Sequence, residues 1–216
     1  MNIEQARFNM VEQQIRPCGV LDNKVLSLLS NIKRENFVQP DYKNIAFSDL
    51  EIPLPGGQKM LCPKVEARLV QELHLSLEDK VLEIGTGGGY VTALIARLSS
   101  FVYSMEINEV NKEFAINNLA GSGITNISII TGNGIHGLPS KAPYDKIFIG
   151  GGLVKVPDTI LQQLKIGGRL AGFIGVMPVM HAVIIERLGE HEYKETQLFE
   201  TDVDYLVSEN TERFKF

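Results

Sequence analysis

Hydrophobic and polar positions along this chain change their period twice. Near the start, Ala6, Met10, Val11 and Ile15 recur at helical spacing, and the pattern stops before Pro17. Asp22 stands where an N-cap belongs, ahead of a second helix carrying Val25, Leu26, Leu28, Leu29 and Ile32. An irregular passage follows, FVQPDYKNIAFSDLEIPLPGGQKMLCP, rich in Pro, Gly and Asp. A connection of that length inside a compact domain tends to be functional or disordered. Phe37, Tyr42, Ile45, Phe47, Leu50 and Ile52 punctuate it, which predicts that it packs onto the protein. Pro63 marks the start of a third helix, whose buried stripe is Val65, Leu69, Val70 and Leu73, running to about His74.

From Lys80 the grammar becomes strand alternating with helix. VLEI, FVYSMEI, ISIIT, DKIFIG and GGRLAGFIG read as strands. Between them, YVTALIARL, the segment from Glu109 to Leu119 and a stretch around Ile160–Leu164 read as helices. Strands separated by such helices imply right-handed crossovers and a parallel sheet covered on both faces. The segments HAVIIERL and EYKETQLFETDV then read as two strands joined through Gly189-Glu190, an antiparallel extension of the same sheet. The expected fold is α/β, a doubly wound Rossmann-like sheet with a helical N-terminal lobe. It forms one domain over 1–216: a lobe and loop over 1–75, an α/β core over 76–178 and a strand extension over 179–216.

Composition narrows the chemistry. The chain has 216 residues, 44% of them hydrophobic and 22% charged, with a formal net charge of −5. Without a block of Lys and Arg to neutralise phosphates, the balance argues against nucleic-acid binding; the one clustered pair, Lys33-Arg34, is followed at once by Glu35. No apolar run reaches membrane-spanning length, and the N-terminus lacks the apolar stretch of a signal peptide. Cys18 and Cys62 lie far apart and the four histidines are scattered, so no metal spacing appears. These features predict a cytoplasmic protein with reduced thiols and no metal site. The sequence leaves the oligomeric state open.

The chemistry concentrates where the first core strand breaks into glycines, VLEIGTGGGY. No Gly-Lys-Ser/Thr follows, so this is not a Walker-type phosphate loop. The dinucleotide fingerprint places its third glycine where Tyr90 stands, and a Tyr does not fit there. Glu83, two residues before Gly85, would face a pyrophosphate unfavourably and suits a cationic ligand. Glu106 ends the next strand about 20 residues on, the place for an acid that accepts hydrogen bonds from ribose hydroxyls. Gly132-Asn133-Gly134 follows the third core strand, with an Asn able to read an adenine edge. A nucleoside bearing positive charge fits such a site, and S-adenosyl-L-methionine is one.

The motifs VLEIGTGGGY, VYSMEI, GNG, PYDKIFI and LKIGGRL resemble, in order and spacing, those of the class I S-adenosylmethionine-dependent methyltransferases. MVEQQIR, RENFV, IPLPGGQ and PYDKIFI further resemble the protein-L-isoaspartate O-methyltransferases, a likeness that covers nearly the whole chain. The resemblance implies that Glu83, Gly85, Thr86, Gly87, Gly89 and Tyr90 form the cofactor loop, with Glu83 and the glycines along the methionine moiety. Glu106 and Ile107 would lie at the ribose, and Asn133 and Gly134 at the adenine, with Asn133 where the family usually has Asp. The acceptor it implies is a protein or peptide bearing isoaspartyl residues.

Methyl transfer to a carboxylate already ionised at neutral pH requires no general base, so positioning and water exclusion carry the acceleration. The sequence departs from the family at the donor that orients the acceptor. The family pattern Gly-Gln-Thr-Ile-Ser-x-Pro is here Gly57-Gln58-Lys59-Met60-Leu61-Cys62-Pro63: Gln58 is kept, but Lys59 and Leu61 replace both hydroxyls. Losing one oriented donor in a buried site can cost ~3 kcal/mol. Gln58, Lys59 and Leu61 are therefore the substrate-loop positions, and no catalytic residue is assigned. Two alternatives stand beside the isoaspartyl enzyme: a methyltransferase of the same build with another acceptor, and a non-catalytic module that binds the cofactor.

Overall fold

The computed structural model describes residues 2–207. Helix α1 (Ile3–Asn9) is capped by Asn2, whose Oδ1 accepts from the Gln5 amide at 3.2 Å. The chain continues through a π-helical segment, Met10–Ile15, into a 3-10 turn, Arg16–Cys18, and stops at Gly19 with φ of 90°. Pro17 does not end the coil where the sequence pattern stops. It sits in the first turn of the 3-10 segment, where a missing N–H costs nothing. Asp22 caps α2 (Asn23–Asn31) as expected, its side chain accepting from the Lys24 amide at 2.7 Å.

The irregular passage packs in part. It holds 3-10 turns at Arg34–Asn36 and Pro40–Ile45 and a minimal antiparallel ribbon, β1 (Ile52–Pro53) with β2 (Lys59–Met60). Phe37, Phe47 and Ile52 are buried, whereas Ile45 and Leu50 are exposed. Helix α3 (Pro63–Glu72) follows, with Pro63 in its first turn. Arg34, fully buried, ties these pieces together. It donates to the carbonyls of Ala46 at 2.8 Å and Leu61 at 2.6 Å, and to the Glu66 carboxylate on α3 at 3.1 Å. A second buried ion pair, Arg7–Glu35, fastens α1 to the same knot.

The core alternates as predicted: β3 (Lys80–Ile84), α4 (Tyr90–Leu98), β4 (Phe101–Glu106), α5 (Glu109–Gly121), β5 (Ile127–Thr131) and β6 (Tyr144–Leu153). Then come α6 (Asp158–Leu161), β7 (Leu164–Val176), β8 (Val179–Arg187) and β9 (Tyr193–Thr201). The helix expected to reach Leu164 ends at Leu161. Leu164 instead pairs with Tyr144, and the register shifts before the next pair, Lys146 with Arg169, across Gly167-Gly168. The seven-stranded sheet has the order β5-β4-β3-β6-β7-β8-β9. Strands β3 to β7 run parallel, and β8 is antiparallel to both β7 and β9.

Side chains alternate across the sheet as a pleat requires. Val81, Val102, Phe148 and Phe173 pack with α2, α3, α4 and α5 on one face. Leu82, Ile84, Ile147, Ile149 and Leu170 pack on the other with Ile160 of α6 and the turns around Ile135 and Leu138. The two directions of winding meet between β3 and β6, so the loop leaving β3 opens into the crevice at the switch in strand order. No described helix is long and apolar enough to cross a membrane. The last part of the expected strand extension, 208–216, lies outside the described residues.

Candidate functional site

The glycine loop turns tightly at the end of β3. Gly85 has φ of 91° and Gly89 φ of 85°, left-handed values that a side chain would strain. The loop is pinned to β4: the Gly85 amide donates to the Met105 carbonyl at 2.9 Å and the Gly87 amide to Glu106 Oε2 at 2.8 Å. The other Glu106 oxygen accepts from the Asn108 amide at 3.0 Å. Burial raises the Glu106 pKa, and these backbone donors pull it back. Each carboxylate oxygen keeps a further lone pair for a ligand.

Beside the loop a groove runs along the carboxyl ends of β3, β4, β5 and β6. Gly85 and Gly87, Glu106 and Ile107, and Asn133 and Gly134 all line it, as does Gln58. Asn133 Oδ1 accepts from the Ile135 amide at 3.0 Å, which fixes the side chain at the groove and leaves its amide nitrogen available. Gln58 Oε1 accepts from Asn111 Nδ2 at 2.8 Å, and Asn111 Oδ1 takes the Gly56 amide at 2.8 Å. The substrate loop is thereby clamped to the first turn of α5.

A second, smaller pocket adjoins the first and shares Leu54, Lys59, Gly85, Gly87 and Gly150 with it. Leu61, Thr86, Tyr90, Phe148 and Glu66 also stand in its wall, with Met60, Gly88 and Val91. The Glu66 carboxyl, wholly buried, is raised to about 7 by loss of water, against the opposing pull of Arg34. Lys59 is neither free nor simply solvated. Its Nζ donates to Glu51 at 3.0 Å and lies 3.3 Å from Asp204.

Four positions differ from the sequence expectation. Glu83 lines neither pocket: it is fully buried beneath the loop, with Oε2 accepting from Thr92 and Ser104 hydroxyls, both at 2.6 Å. Burial lifts its pKa to about 7, the two hydroxyls lower it, and Glu106 raises it further. Gly89 lies outside both pockets as the N-cap of α4, its missing side chain giving room to Leu119 and Ala115 of α5. Thr86 and Tyr90 face the second pocket rather than the groove. The Thr86 hydroxyl bonds to Ser104 at 2.6 Å, and the Tyr90 ring meets Phe37 edge-on at 5.4 Å under the Arg34 guanidinium. The physical reason is packing: these residues join the loop to its own helix and to the N-terminal lobe.

Sequence reasoning missed the segment after β9. Asp204, Tyr205, Leu206 and Val207 close one side of the groove, held by the Gly152 amide on the Asp204 carbonyl at 2.9 Å and the Leu206 amide on the Gly152 carbonyl at 3.0 Å. No motif marks them. Asn111 was equally hidden, since on a helix it reads as one more polar surface residue.

The switch-point groove, its glycine loop and the strand-end acid beyond it define a class I S-adenosylmethionine-dependent methyltransferase. A family model for protein-L-isoaspartate(D-aspartate) O-methyltransferases matches residues 5–206. The chain belongs to that family. It is 36% identical over 198 residues to protein-L-isoaspartate O-methyltransferase 2 of Pelobacter propionicus, covering 91% of this chain and 88% of the relative. It is 34% identical to the protein-L-isoaspartate O-methyltransferase of Brucella anthropi, with 91% of each chain covered. A solved protein-L-isoaspartate O-methyltransferase superposes with a TM-score of 0.82 at 26% identity, over 94% of this chain and 66% of that longer one. The same fold, at a TM-score of 0.78 and 18% identity, is found in a Plasmodium falciparum protein solved with S-adenosyl-L-homocysteine, over 96% of this chain and 99% of that one.

Proposed function

We propose that this protein methylates the carboxylate of isoaspartyl residues in proteins or peptides, with S-adenosyl-L-methionine as methyl donor. The observation that carries the reading is the convergence of the pinned glycine loop, Glu106 and Asn133 on one groove that opens into a second pocket at the substrate loop. The groove suits the donor: Glu106 keeps unused lone pairs for two ribose hydroxyls, Asn133 offers its amide to the adenine edge, and Gly85 and Gly87 let the methionine part approach the backbone. Bound there, the donor supplies an electrophilic methyl on a sulfonium. Everything else falls to the chain's own residues. Leu54, Leu61 and Phe148 give the second pocket an apolar part of its wall, and the clamp through Gln58 and Asn111 holds the substrate loop in place. An apolar wall and a fixed position favour a carboxylate nucleophile, and no base is called for.

Leu61, which presents no hydroxyl in that pocket, favours a second reading, a different carboxylate acceptor. Two measurements test the proposal. S-adenosylmethionine and S-adenosylhomocysteine should each raise the melting temperature, and NAD should not. Single-turnover transfer should reach an isoaspartyl peptide and spare its aspartyl twin. Ligand binding without transfer to either peptide would favour the second reading, and a shift with NAD alone would remove both.

A further inference from the structure

An anionic acceptor entering the second pocket meets apolar side chains, backbone, the polar side chains of Thr86 (whose hydroxyl is bonded to Ser104) and Tyr90, and two charged groups, Lys59 and Glu66. Glu66 is committed to Arg34. Among the described residues Lys59 is therefore the one cation lining this pocket, and it also lines the groove, so it stands where the two meet. Its present partners are both carboxylates. Glu51, whose side chain is 24% exposed, takes a hydrogen bond from Nζ at 3.0 Å, while Asp204, 62% exposed, sits at 3.3 Å. The two raise the Lys59 pKa, Glu51 more than Asp204, so the ammonium is secured.

The partners differ in how they are held. Glu51 lies on the approach to β1, beside the lysine's own ribbon. Asp204 arrives from the segment after β9, and only its backbone is tied down, through Gly152. An exposed ion pair of this kind is weak and is lost readily to a competitor. We infer that Lys59 is the receptor for the acceptor carboxylate, taking over from the absent hydroxyl at Leu61, and that Asp204 occupies this receptor until the acceptor displaces it. Glu51 keeps Nζ aimed while the exchange takes place. With two carboxylates around one ammonium the site is left net negative, which opposes entry of a third, so Asp204 sets the affinity for the acceptor.

This inference rests on the isoaspartyl reading. The test is steady-state methylation of an isoaspartyl peptide at saturating S-adenosylmethionine, with S-adenosylhomocysteine affinity measured by calorimetry for every variant. Asp204→Asn should lower the peptide KM about three- to tenfold with kcat nearly unchanged, because one competing charge is gone. Lys59→Met should raise that KM by about tenfold or more, and Lys59→Arg should recover most of it. Both side chains also line the groove, so S-adenosylhomocysteine affinity is read beside KM, and its change should be smaller than the change in peptide KM for every variant. Peptide KM values unmoved by Asp204→Asn and Lys59→Met overturn the inference. So does a Lys59→Met loss confined to S-adenosylhomocysteine, which would assign the ammonium to that ligand's own carboxylate. Wild type that binds S-adenosylhomocysteine and methylates no isoaspartyl peptide overturns the isoaspartyl reading and this inference with it.

Discussion

At the residue scale, the site turns on which carboxylates reach the groove. Glu106 does, while also holding the Gly87 and Asn108 amides. Glu106→Ala should weaken S-adenosylhomocysteine binding at least tenfold, since hydrogen bonds to a charged group contribute about 1.5–3 kcal/mol each. Glu109→Ala should leave it within about twofold, because that side chain is 59% exposed and pairs only at the surface with Lys112. Calorimetry on the two variants checks the contrast, and equal affinities would show that Glu106 does not hold the ligand. The strand-end position of Glu106 was legible from spacing alone. Glu83 was not. Pleating says it points away from the face of Leu82 and Ile84, but only the packed α4 shows that Thr92 waits there to bond it.

At the element scale, the pieces of the N-terminal lobe are held to one another by buried charge as well as by helix packing. Arg34 is half of the one clustered basic pair in the sequence, and in the fold it is fully buried and satisfies Ala46, Leu61 and Glu66 at once. Arg34→Met should destabilise the protein by about 3–5 kcal/mol, because it leaves Glu66 and two carbonyls without their donor. Urea unfolding followed by circular dichroism reads this, and a loss below about 1 kcal/mol would mean that water serves these groups equally well. Helix and strand types were readable from periodicity. Ends were less so: α6 stops short and β7 starts early because Leu164 finds a partner in Tyr144, a contact 20 residues away in sequence.

At the scale of the whole molecule, two wholly buried carboxyls, Glu66 and Glu83, have their pKa raised to about 7 from an ordinary value of 4.5. The folded protein thus binds protons that the unfolded chain releases between these values. Their contribution to stability is full below the unfolded pKa and is lost as pH rises through the folded one. Glu83→Gln removes one of these titrations. Between about pH 5 and about pH 8 the variant should lose less stability than the wild type, by up to about 3 kcal/mol for a shift of this size. Denaturant melts at several pH values test it. Parallel curves for the two proteins would show that Glu83 does not titrate in this range.

The sequence by itself determined the order of strands and helices, the glycine turn, the strand-end acid and the family, because each rests on local periodicity or on spacing within one crossover. The substitution of both loop hydroxyls was visible there too. Only the tertiary structure decided which side chains line the groove and which serve packing, since Glu83, Tyr90 and Arg34 take their partners from elements remote in the chain. It also brought Asp204 to Lys59 and closed the groove with Tyr205 and Leu206. Those contacts span some 145 residues from Lys59 to Asp204; loop closure over such distances is decided by the packing of the whole sheet, and no local pattern encodes it.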